Sequence, residues 1–82
     1  MSYSGWKNWQ TWNVALWAGN NESVYRDISY IVSKFGGRTI SAKRAKEIIL
    51  FHYPDGTPDM DGTPRRYRGV DWSAISKAFN EF

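Results

Sequence analysis

The stretch Trp9-Gln-Thr-Trp-Asn-Val-Ala-Leu-Trp17 decides the fold of this chain. It follows Asn8, a residue whose side chain can cap free backbone N–H groups, and it precedes Gly19, which offers a left-handed stop. The spacing predicts a helix over 9–18. At 100° per residue Trp9, Trp12, Leu16 and Trp17 fall on one broad face, which is expected to be core. Asn13 lies inside that face. A buried amide needs hydrogen-bond partners, so Asn13 is either a polar anchor between helices or part of a site.

Three further helices follow by the same reasoning. Asn20 or Asn21 can cap a helix over 22–35, in which Val24, Ile28, Ile31, Val32 and Phe35 recur at helical spacing up to the Gly36-Gly37 terminator. Ser41 caps a helix over 42–52 that Pro54 brings to an end, with Ile40 placed to staple onto Ala45. Its outer side carries Lys43, Arg44, Lys46 and Glu47. Asp71 caps a last helix over 72–81 with Trp72, Ile75, Phe79 and Phe82 in register, and Val70 can staple to Ile75. The expected fold is an all-α single domain, residues 1–82, with helices one, two and four forming its core. Residues 54–69 show only turn chemistry, including Asp-Gly-Thr-Pro at 55–58 and again at 61–64, and are expected to be a long loop.

The expected core is Trp9, Trp12, Leu16, Trp17, Ile28, Ile31, Val32, Phe35, Trp72, Ile75 and Phe79. A chain of 82 residues buries only a modest core, and its five Trp, five Tyr and four Phe compensate because each ring removes a large area from water. With no Cys, stability has to come from packing, as suits a reducing cytoplasm. No apolar run reaches the length of a membrane span and Met1 to Lys7 lacks the apolar stretch of a signal peptide, so a cytoplasmic protein without membrane contact is expected.

The residues Gly5-Trp-Lys-Asn-Trp-Gln-Thr-Trp-Asn-Val-Ala-Leu-Trp17, followed by Asn20-Asn-Glu22, resemble a family of small uncharacterised proteins from bacteriophages, plasmids and bacteria. Its N-terminal signature reads Lys-Asn-aromatic-x-Thr-Trp-x-Val-x-Leu-Trp. Val70-Asp-Trp-Ser-Ala-Ile75 is similar to the family's closing segment. The resemblance implies a phage or bacterial origin and a helical fold in which the two Trp-bearing ends pack together. It implies no activity. Arg38 to Gly69 departs from the family pattern, which is more acidic in its middle, and a function peculiar to this chain is expected there.

No constellation for catalysis is found, and neither an enzyme nor a cofactor is expected. The one His, His52, has no nucleophile placed beside it and reads as a partly buried or cap-like residue at a helix end. Asp59-Met-Asp61-Gly62 resembles the middle of a calcium loop, but Thr57 and Arg68 occupy the positions that should open and close the coordination shell, so no metal is expected. Two binding readings remain. In the first, the protein engages a host or phage protein through aromatic residues its core cannot cover, with Tyr3, Trp6, Trp17 and Tyr67 as candidates. In the alternative, a nucleic-acid module, helices two and three form a helix-turn-helix. The net charge of +3 collects in basic blocks, with Arg38, Lys43, Arg44 and Lys46 in one and Arg65, Arg66 and Arg68, interleaved with Tyr67, in the other.

Overall fold

The structure is a computed structural model, and it describes residues 5–34, 40–60 and 67–81. Among these it contains four α-helices: α1 (Trp9–Gly19), α2 (Glu22–Lys34), α3 (Ala42–His52) and α4 (Trp72–Asn80). A short 3-10 turn, Pro58–Met60, lies between α3 and α4. No strand occurs among the described residues. In the principal contacts each helix touches its sequence neighbours, and α4 closes back on α1. Of these the α3–α4 contact is the most extensive.

The helix starts are local events of the kind their capping residues dictate. Asn8 is extended (φ −154°, ψ 174°) and its Oδ1 accepts from the Thr11 backbone N–H at 2.9 Å. Ser41 Oγ accepts from Arg44 N at 3.1 Å, and Asp71 Oδ1 from Ala74 N at 3.1 Å. Asn21 Oδ1 serves α2, accepting from Ser23 N at 2.9 Å and Val24 N at 3.2 Å. Each cap satisfies donors that the first helical turn leaves without partners. Gly19 is still helical rather than left-handed, and Asn20 (φ −101°, ψ 6°) closes α1 instead. Its backbone N–H and side-chain Nδ2 both donate to Leu16 O, at 3.2 and 2.9 Å.

The starts of α1 and α4 are knotted together. Asn8 Nδ2 donates to Gly69 O at 2.7 Å, while the Asp71 backbone N–H donates to Thr11 Oγ1 at 2.9 Å. Gly69 takes φ +84°, a left-handed value that favours glycine and that turns its carbonyl to meet Asn8. At the other end of α4, the Asn80 amide clamps the backbone of Ile40. Ile40 N–H donates to Asn80 Oδ1 at 2.7 Å and Asn80 Nδ2 donates to Ile40 O at 3.1 Å.

The core departs from the expected one in three ways. First, α3 belongs to it: Ala45, Ile48 and Ile49 are buried alongside Val24 and Ile28 of α2 and Ile75 and Phe79 of α4. Secondly, α1 is turned away from the expected face: it buries Thr11, Val14 and Ala18, and of the expected face Asn13 alone is wholly buried, while Leu16 is 39% exposed and is not a core residue. Trp9, Trp12 and Trp17 are half-buried, with Trp9 packed against the core. This helix is apolar nearly all the way round, so its sequence period does not mark which side turns inward. Thirdly, the 54–69 segment contributes core of its own, since Thr57 is 2% exposed and Met60 is wholly buried. Ile31, Val32 and Trp72 pack against the core partly buried. Phe35, Gly36, Gly37 and Phe82, assigned to helix packing or helix ends from the sequence, lie outside the described residues.

Candidate functional site

The most unusual surface lies between α2 and α3. These helices run antiparallel, since Asp27 in the first half of α2 meets His52 at the end of α3, Oδ2 to Nε2, at 2.6 Å. Between them opens a groove of about 280 Å³ to which α2 contributes Asp27, Tyr30 and Ile31. From α3 come Arg44, Glu47, Ile48 and Phe51.

Phe51 is 77% exposed and Tyr30 is 62% exposed. Large rings left in water in this way are unfavourable by their apolar area, and two of them beside one groove mark an interaction surface more often than chance exposure. Phe51 is held in place by its neighbour, its ring lying edge-on to the His52 imidazole at 5.1 Å and 83°. His52 is itself only 14% exposed, fixed by Asp27. Across the groove Lys34 Nζ sits over the Tyr30 ring, 5.5 Å from its centroid. Arg44 and Glu47 approach to 3.9 Å on the α3 wall.

A second cluster joins α1 to the loop after α3. Asn13, fully buried, donates from Nδ2 to Asp59 Oδ2 at 2.8 Å, and its Oδ1 accepts from the buried Thr57 hydroxyl. Trp17 Nε1 donates to the same Asp59 oxygen at 2.9 Å. These bonds, the one from Asn13 first, hold the Asp59 carboxyl below the usual carboxylate range. Both ends of the Asn13 amide are thus satisfied, and the anchor runs from helix to loop rather than from helix to helix. Gly56, at φ +96°, makes the turn that brings Thr57 inward.

Among the described residues, those singled out from sequence do not form one site. Lys43, Arg44 and Lys46 are all exposed on α3, but Lys43 and Lys46 lie on a flank away from the groove that Arg44 lines. Arg68 is exposed. Arg38, Arg65 and Arg66 lie outside the described residues, as does Tyr3. Tyr67 is half-buried, donating its hydroxyl to Tyr53 O at 2.6 Å and tilting against Trp72 at 5.7 Å. Trp6 is partly buried against the core, and Trp17 is tied to Asp59 and edge-on to Tyr53 at 6.2 Å.

Sequence reasoning missed Tyr30 and Phe51. The signal for Phe51 was present, because it falls one and two turns on from Glu47 and Arg44, on the charged side of α3. Among the described residues, no group of three or more His, Cys, Asp or Glu side chains converges where it could hold a metal ion. No described helix is long and apolar enough to cross a membrane.

The sequence model of a family of unknown function (DUF7249) matches residues 1–42, just over half of the 82. The chain belongs to that family. No curated protein and no solved structure matches it. The matched region takes in α1, α2 and the Ser41 cap of α3, so it carries one wall of the groove and stops short of Phe51.

Proposed function

We propose that this member of the family is a small non-enzymatic accessory protein of a bacteriophage or bacterium, acting in the cytoplasm by binding another protein. The observation that carries the reading is Phe51, 77% exposed where it lines the α2–α3 groove, with Tyr30, 62% exposed, on the α2 wall of the same groove. Aromatic side chains dominate the energetics of protein interfaces, and a ring fixed by an ordered neighbour loses little freedom on binding. Ile31 and Ile48 line the same groove and extend its apolar surface, while Asp27, Arg44 and Glu47 add polar groups of the kind found at interface rims. Phage or bacterial origin is supported by the N-terminal Trp-rich signature.

The test compares the full chain with Phe51→Ser and with the double variant Lys43→Glu/Lys46→Glu, each immobilised against nuclease-treated and untreated bacterial extract. Support is a captured protein that, once identified and purified, rebinds the wild type and binds Phe51→Ser at least tenfold more weakly. Capture that disappears with nuclease or with the Lys variant, yet survives Phe51→Ser, overturns the reading in favour of nucleic acid.

A further inference from the structure

The α2–α3 groove has a charge pattern along its length as well as an apolar floor. Because the helices are antiparallel, Asp27 lies toward one end beside His52 and Phe51, while Lys34, at the end of α2, lies toward the other with Arg44, near the start of α3. Glu47 stands between them, one turn along α3 from Arg44 and 3.9 Å from it. The groove is therefore graded, with Asp27 toward one end and Arg44 toward the other, and with Lys34, which sits over the Tyr30 ring just beyond the lining, two acids stand against two bases.

A surface graded in this way is complementary to itself when turned by 180°. A two-fold axis through the groove places the acidic end of one copy on the basic end of the other, and a two-fold interface repeats each such contact. The same rotation carries Phe51 from its own lip toward the Tyr30, Ile31 and Ile48 surface of the second copy. A highly acidic or highly basic partner would instead meet repulsion at one end.

We propose that the occupant of the groove is a second copy of this chain, forming a two-fold dimer through α2 and α3. This rests on the protein-binding reading above and names the partner. In the dimer Arg44 of each copy faces Glu47 and Asp27 of the other, and Phe51 fills the opposite groove. The apolar area is small, which places the association at the weak end of specific interfaces, with Kd on the order of tens of micromolar.

Sedimentation equilibrium of the full chain from about 1 µM to 1 mM reads the association directly. The expected result is a monomer–dimer equilibrium, weakened at least tenfold by Phe51→Ser, a change at an exposed position that leaves the helical circular dichroism signal intact. Arg44→Glu alone and Glu47→Arg alone each place like charges across the axis and are expected to weaken self-association. An equimolar mixture of the two restores much of the dimer, because both pairs between positions 44 and 47 across the axis are then opposite in sign and only one contact with Asp27 stays repulsive. A chain that is monomeric to 1 mM overturns the proposal, as does a dimer indifferent to Phe51→Ser or a mixture that fails to recover. If the monomer still binds an identified protein in a Phe51-dependent manner, the protein-binding reading stands and only the second copy is excluded. If neither self-association nor Phe51-dependent binding is seen, both fall.

Discussion

The side-chain amide of Asn13, in the middle of α1, donates to the carboxylate of Asp59 across 2.8 Å, although the two residues lie 46 positions apart. Through this bond, and the one that Thr57 donates to the other end of the amide, the segment after α3 becomes part of the core. Met60 is buried just behind it. A buried amide with both ends satisfied stabilises one arrangement strongly, because any slip leaves a polar group without a partner.

Asn13→Leu is accordingly expected to destabilise the domain by about 2–3 kcal/mol, since Thr57 is left buried with its hydroxyl bond lost and Asp59 loses a donor. Urea unfolding followed by tryptophan fluorescence measures this. A loss below about 0.5 kcal/mol would show that the loop docks without the amide.

The same network predicts a pH dependence. The Asp59 carboxyl is held below its usual value of 3.8, chiefly by Asn13 and then by Trp17, so its native pKa lies below its unfolded one. Its contribution to stability is therefore present above 3.8 and is lost as pH falls through the lower native value. Thermal midpoints of the wild type and Asp59→Asn, measured between pH 5 and pH 2, are expected to converge toward the acid end. Parallel curves would remove Asp59 from the acid response.

The orientation of α1 is tested by a pair of substitutions. Val14→Ala removes volume from the buried face and is expected to cost about 1–3 kcal/mol, whereas Leu16→Ala, on the outer face, is expected to change stability by less than about 1 kcal/mol. The opposite ranking would mean that the Trp9, Trp12 and Leu16 face is the inner one.

Asn80 provides an equally local test of the α3–α4 contact. Asn80→Ala removes both hydrogen bonds to the Ile40 backbone and is expected to lower stability by about 1–3 kcal/mol. Asn80→Asp keeps the acceptor and loses the donor, so it should fall between Ala and wild type. Hydrogen exchange at the Ile40 amide reads the effect at the site, and unchanged protection in Asn80→Ala would dismiss the clamp.

Much of the helical plan was legible because its signals are short-range. Asn8, Ser41 and Asp71 each cap through a bond spanning three residues, and the strong apolar period of α2 and α4 marks their inner faces. Pro54 ends α3 for steric reasons that need no tertiary contact. The candidate site was less legible. Phe51 could be noticed on the charged side of α3, but whether a neighbouring element covers it is not written in α3.

What the sequence by itself determined is therefore the number of helices, their bounds to within a residue or two and the caps that start them, because those depend on interactions within one turn. Only the tertiary structure decided which side of the tryptophan-rich α1 turns inward, that Thr57 and Met60 are core, and that Tyr30 and Phe51 remain in water. Each of those outcomes depends on residues far apart in the chain competing for the same limited interior. An apolar helix such as α1 has several faces that could fill that interior, and the choice falls to the partners that Asn13, Thr11 and Asn8 find on the far side of the fold.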